Sequence, residues 1–152
     1  MNQKKILTKT VSKDGICILT LSNPEKRNPL SLALINSLQL ELDQLKKSKS
    51  IKVLILKSTG PSFSSGHDLA EVSKASKSKK QLFNIFKKCS KMMLTIKEVP
   101  QPVIACVDGI AAAAGCQLVA SCDLAIASNN SFFQTPGVNI GLFFSIPMVA
   151  KL

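Results

Sequence analysis

The sequence predicts an α/β domain, and three observations lead there. Short apolar strands alternate with helical segments at regular spacing. The 152 residues are 45% hydrophobic, enough for one packed domain and too few for two. No internal repeat and no linker divides the chain, so residues 1–152 are read as a single domain.

The elements follow in order. Ile16–Ser22 (ICILTLS) is a strand entered from an Asp14-Gly15 turn. Asn23–Pro29 is a turn-rich loop. Ser31 has the chemistry of a helix N-cap, and Leu32, Ile35, Leu38, Leu42 and Leu45 after it fall on one helical face. Lysines close that helix, where the dipole favours cations. The continuous apolar run Val53–Leu56 is a buried strand. Gly60–Asp68 is a loop rich in Gly, Pro and Ser, and Val72–Lys80 (VSKASKSKK) reads as a mobile, low-complexity stretch. A second amphipathic helix places Leu82, Ile85, Phe86, Cys89, Met93 and Ile96 on its apolar side and ends at Pro100 and Pro102. Val103–Val107 is a third strand. Gly109–Ala114 turns into a short apolar helix around Gly115–Ser121, and Leu124–Ala127 is a fourth strand. Lys151-Leu152 carries no helix stop signal, so the chain is expected to end within an element.

Composition narrows the partners. Residues 1–102 carry nineteen Lys or Arg against seven Asp or Glu, whereas residues 103–152 carry one against two. Nineteen of the twenty cations are lysine, and the chain has no Trp or Tyr. A nucleic-acid reader draws on arginine and aromatics, so a solvated lysine surface is expected and no nucleic-acid partner. Those lysines can still attract a polyanion. The five cysteines form no CxxC pair and only one histidine exists, so no metal site is expected. The cysteines are expected to be buried, reduced thiols. No apolar run approaches the roughly 18 residues of a membrane helix. The run at Ile16–Leu21 is too short for a signal peptide, and no arginine precedes Arg27. The expected compartment is cytoplasmic, or the mitochondrial matrix if a presequence is missing.

Three segments then carry a resemblance. Phe63-Ser64-Ser65-Gly66-His67-Asp68-Leu69 is similar to the F-S-A-G-x-D-L loop of the crotonase (enoyl-CoA hydratase/isomerase) superfamily. PVIACVDGIAAAAGCQLVASCDLAIAS, from Pro102 onward, is similar to its strand, glycine turn, small-residue helix and C-D-[IL] strand. FFQTPGVNIG, Phe132 through Gly141, resembles its F-x-x-P-E-x-x-x-G segment. Asn23-Pro24 with Asn28-Pro29-Leu30 fits the N-terminal loop. The AAGCQLVASCDLA and TPGVNIGLF stretches are most similar to the enoyl-CoA hydratase domain-containing protein three subgroup. The resemblance covers essentially the whole chain. It implies a spiral of ββα units (the ClpP/crotonase fold), incomplete at its C-terminus because a family domain has on the order of 250 residues. It also implies trimers or hexamers for a full-length form, and a place in fatty acid metabolism.

The resemblance implies an acyl-CoA substrate, with CoA as part of that substrate and no separate cofactor. The N–H groups of His67 and Ala114 match the donors of its oxyanion hole. Ser65, Gly66, Asp68, Leu69 and Gly115 match the substrate-facing loops, and Lys26 and Arg27 stand where family members meet the CoA phosphates or ribose. The residues themselves fit this. Ser65-Gly66 allows close backbone approach, and Ala111–Gly115 sets small residues where a helix begins, so free N–H groups can face an anion. A small-residue helix packed tightly on a sheet is the structural alternative. Asp68 also suits an Asx cap.

Family hydratases place one carboxylate directly after the G-C of the small-residue helix and one directly after the Pro of the third segment. Those positions here are Gln117 and Gly137. An amide orients water but accepts no proton at neutral pH, and glycine does neither. Ordinary hydration is therefore not expected. Family decarboxylases share G-H-D in the loop and carry a tyrosine where this chain has Phe144, a partial match. The alternatives are an acyl-CoA decarboxylase-like enzyme using His67, a CoA-binding pseudoenzyme, or a non-functional fragment.

Overall fold

The computed structural model describes residues 5–140. A hairpin opens the fold, with β1 (Leu7–Val11) antiparallel to β2 (Ile16–Leu21). Gly15 makes the turn at φ 87°, and a methyl group placed on it would lie 2.5 Å from the Ser50 carbonyl oxygen. Every later pairing is parallel: β2 pairs with β3 (Val53–Ser58), β3 with β5 (Val103–Val107), and β5 with β7 (Leu124–Ala127). A second, three-stranded parallel sheet runs β4 (Ser62–Ser64), β6 (Ile110–Ala112), β8 (Phe132–Gln134). After the hairpin, each ββ pair (β3–β4, β5–β6, β7–β8) feeds one strand to each sheet and then a helical segment. Helices α2 (Leu69–Ala75) and α3 (Lys79–Glu98) follow β4, and α4 (Ala114–Ser121) follows β6. A 3-10 turn at Pro136–Ile140 follows β8. This is the spiral of ββα units that the family resemblance implies.

Parity decides what is inside. Leu19, Leu56 and Ala105 align across the large sheet and are all buried. Helix α1 (Leu32–Leu45) packs against α3 over this face and buries Leu34, Ile35, Leu38, Leu42 and Leu45. Full burial of each such leucine is worth about 2 kcal/mol. Ser31 caps α1, accepting from the Leu34 N–H at 3.3 Å.

Several expectations need correction. Leu7–Val11 was not read as a strand because it is mostly exposed and lacks alternation; backbone pairing to β2 supplies its order. The stretch Val72–Lys80 is not a mobile loop. It contains most of α2 and the first two residues of α3, helices whose N-caps are Asp68 and Ser78. Phe86 is exposed and Met92 fully buried, so the α3 stripe runs Ile85, Cys89, Met92 and Ile96. Cys17, Cys89 and Cys122 are buried thiols, and burial pushes Cys89 and Cys122 up to about 12. Cys106 is exposed, because Val103, Ala105 and Val107 take the inward positions of β5. Among the described residues, no helix is long and apolar enough to cross a membrane.

Candidate active site

The site is built where the segment after β4 meets the turn between β6 and α4. Gly66 is buried with φ 88°, and a methyl group on it would lie 3.0 Å from the Ala112 oxygen and 3.1 Å from the Ala114 nitrogen. A residue without Cβ lets the two backbones come this close. Gly115 does the same from the other side, where a methyl group would lie 2.4 Å from the Ser64 oxygen. Gly115 therefore serves the contact between α4 and the segment at Ser64.

Hydrogen bonds orient the two peptide groups that carry the predicted donors. In a trans peptide the C=O and the following N–H point in opposite directions. The Gly66 carbonyl accepts from the Leu30 N–H at 2.7 Å, so the His67 N–H faces away from Leu30. The Ala113 carbonyl accepts from the Gln117 N–H at 3.2 Å, so the Ala114 N–H faces away from the body of α4. As the first residue of its helix, Ala114 has no acceptor within that helix. Among the described residues, neither of these N–H groups is paired with an acceptor.

Ala113 stores strain beside this donor. Its φ of 49° and ψ of −118° lie where an L-residue with a Cβ pays about 1–3 kcal/mol. It is held there because its N–H donates to the Gln134 carbonyl at 2.8 Å, tying the turn to β8. The Cys116 thiol reinforces the tie, with its sulfur 2.9 Å from the Ala111 oxygen and 3.3 Å from the Gln134 oxygen.

The remaining predicted residues divide. Ser65 sits beside Gly66, and its N–H donates to the Arg27 carbonyl at 3.0 Å. Through that bond the exposed Lys26 and Arg27 stand next to the loop; Arg27 closes a 3-10 turn at φ 60°. The Asp68 carboxylate caps α2, accepting from the N–H groups of Ala70 at 3.0 Å and Glu71 at 3.2 Å. It is a helix cap, as its Asx chemistry suggested. Leu69 opens α2 and is 78% exposed. Gln117 lies on α4 three residues after Ala114, which puts both on one face. Gly137 lies in the Pro136–Ile140 turn just beyond Gln134. Gly141 and Phe144 lie outside the described residues.

The His67 imidazole packs edge-on against Phe86 of α3, with ring centroids 5.0 Å apart and planes at 88°. Its Nδ1 is buried without a partner, and burial lowers its pKa below the ordinary histidine value. An unpaired donor costs more there than an unpaired lone pair, so the proton is placed on Nε2.

Two contributors escaped sequence reasoning. Asn28, fully buried, accepts from the Asn23 N–H at 2.7 Å and donates to the carbonyls of Thr59 at 2.8 Å and Ser62 at 2.9 Å. Glu71 reaches from α2 to accept the Leu32 N–H at the start of α1, at 2.7 Å. Asparagine in a turn-rich loop at φ 49° was the available signal for the first. The second had none, because it depends on where two helices come to lie. Two open grooves are formed, one between β1 and α1 beside Leu7, Lys9 and Leu40, and one along α3 beside Phe83, Phe86 and Leu94.

Known proteins resemble this chain over nearly its whole length. Residues 11–151 match the enoyl-CoA hydratase/isomerase family model. The human enoyl-CoA hydratase domain-containing protein 3, mitochondrial, is 54% identical over 137 residues, covering 90% of this chain and 45% of that protein. The crystal structure of human enoyl-coenzyme A hydratase domain-containing protein 3 superposes with a TM-score of 0.87 at 50% identity, over 96% of this chain and 57% of that one. An enoyl-CoA hydratase from Mycobacterium smegmatis superposes with a TM-score of 0.90 at 41% identity, over 96% of this chain and 56% of that one. The chain spans about half the length of the curated relatives it matches. On this evidence the chain belongs to the enoyl-CoA hydratase/isomerase family, the crotonases, and within it resembles enoyl-CoA hydratase domain-containing protein 3.

Proposed function

We propose that this protein binds an acyl-CoA thioester and stabilises its enolate between the N–H groups of His67 and Ala114. The observation that supports the proposal is the close approach of Gly66, the residue before His67, to the Ala112–Ala114 turn, where a methyl group placed on Gly66 would lie 3.1 Å from the Ala114 nitrogen. A thioester oxygen gains negative charge when its α-carbon loses a proton or a carboxylate. A pre-oriented donor to that oxygen lowers the barrier by about 3–4 kcal/mol. The chemistry calls for no separate cofactor, since CoA belongs to the substrate. Lys26 and Arg27, exposed next to the loop, supply positive charge for the CoA phosphates.

Hydration requires two groups that hold water and pass protons. Gln117 and Gly137 occupy the positions where the family resemblance puts those carboxylates, so the hole works here without the hydratase pair. His67 favours a second reading, an acyl-CoA decarboxylase. Its neutral ring with the proton on Nε2 is a donor suited to orient a substrate carboxylate. Decarboxylation needs no base, because the departing CO2 leaves its bonding electron pair on the α-carbon. The mitochondrial relatives favour the mitochondrial matrix over the cytoplasm.

A crystal structure with a saturated acyl-CoA tests the main proposal. The thioester oxygen is expected at about 3 Å from both nitrogens. An oxygen that meets neither nitrogen overturns it. Incubation with malonyl-type acyl-CoA and product analysis tests the second reading, which fails if no CO2 is released.

A further inference from the structure

Ser64 lies fully buried at the junction of three segments. Its hydroxyl donates to the Asn28 carbonyl at 2.9 Å and accepts from the Gly66 N–H at 3.3 Å. Its carbonyl and Cβ face Gly115, where a methyl group would lie 2.4 and 3.0 Å away. Its acceptor, Asn28, is itself immobilised by three side-chain hydrogen bonds to the main chain. Two residues on, the Leu30 N–H holds the Gly66 carbonyl. The 28–30 segment thus grips both polar groups of Gly66, the carbonyl directly and the N–H through the Ser64 hydroxyl. Serine suits this place because one hydroxyl can donate and accept at once.

We propose that Ser64 is a positioning residue of the thioester site, its hydroxyl fixing the Ser65–Gly66 peptide and with it the φ of Gly66, on which the direction of the next N–H, that of His67, toward the thioester oxygen depends. The proposal rests on the oxyanion-hole reading above. Without the hydroxyl, the Gly66 N–H and the Asn28 carbonyl lose a buried partner, and both groups gain by turning toward other polar atoms or water. Such a turn rotates the adjoining peptide away from Ala114. Lys26 and Arg27 are joined to the loop by a separate bond, from the Ser65 N–H to the Arg27 carbonyl at 3.0 Å, which does not involve the Ser64 hydroxyl.

The test uses butyryl-CoA labelled with carbon-13 at the thioester carbonyl, bound to the protein and read by NMR. Hydrogen bonds to the oxygen move the carbonyl resonance downfield. Wild type is expected to show that shift, and Ser64→Ala to lose most of it. The preference for butyryl-CoA over free CoA is expected to fall about tenfold, while free-CoA affinity stays the same. If Ser64→Ala does not fold, the near-isosteric Ser64→Cys, a weaker donor and acceptor, is read in its place with a partial loss expected. A full shift in wild type retained in the variant overturns the role of Ser64 and leaves the hole intact. Equal losses of butyryl-CoA and free-CoA affinity also overturn it, since that marks a merely structural role. An unshifted carbonyl in wild type overturns the oxyanion-hole reading itself.

Discussion

Two parts of the site are made from different material. The proposed donors at His67 and Ala114 are backbone groups, in peptides gripped by Leu30, Gln117 and the close packing at Gly66 and Gly115. The positions at Gln117 and Gly137 act, where they act in the family, through side chains. Here one is an amide and the other has no side chain. The first part is enforced by the fold and persists while the fold persists. The second can be lost by substitution without disturbing any contact that holds the chain together.

The largest expected effect breaks or upholds that contrast directly. The protein is expected to hydrate crotonyl-CoA at no more than a trace rate, followed by the loss of absorbance of the conjugated thioester. General acid–base groups contribute about 10²–10⁴-fold each, so Gln117→Glu with Gly137→Glu should raise the rate far more than either change alone. Gly137 sits in a 3-10 turn, whose negative φ accepts a side chain. Wild-type turnover of about hundreds per second would mean that another residue supplies the base.

Gly115→Ala attacks the backbone part. The added methyl meets the Ser64 oxygen at 2.4 Å, and the overpacking is expected to cost about 1–3 kcal/mol. Thermal unfolding should show a lower midpoint, and acyl-CoA titration a loss of binding. An unchanged midpoint would show that the two loops are not in contact.

Ala113→Gly is expected to separate stability from function. Glycine relieves the strain at φ 49° and raises stability by about 1 kcal/mol. The freed turn holds the Ala114 N–H less firmly, so affinity for acyl-CoA should fall as the melting midpoint rises. A rise in both would remove Ala113 from the account of the hole.

The smallest effect concerns pH. The folded pKa of His67 lies below its unfolded value, so between the two the unfolded state binds more protons. Stability from this source is intact above about 6.5 and declines as pH falls through that value toward the folded pKa. His67→Gln should flatten that part of a plot of melting midpoint against pH. Parallel curves for the two proteins would contradict the burial of the ring.

The strands of the large sheet after β1 and the helix at α1 were legible in the sequence because their periodicity follows from burial on one face. The strands of the small sheet were not. Ser62–Ser64, Ile110–Ala112 and Phe132–Gln134 have three residues each, too few for a period to show, and they exist through pairing with one another. The site followed the same division. Gly66 and the alanines near 114 were visible as small residues needed for close approach. Ser64, which has the composition of any loop serine, was not distinguished. Its role depends on Asn28, 36 residues away.

The donor at position 67 has one further consequence. An amide hydrogen is supplied by every residue except proline, so substitution of His67 changes the ring but leaves the donor in place. The largely buried side chain there can be replaced without removing the N–H beneath it. On the proposed reading, a lineage with this architecture can explore new reactions on acyl thioesters one side chain at a time while the backbone donor stays in place.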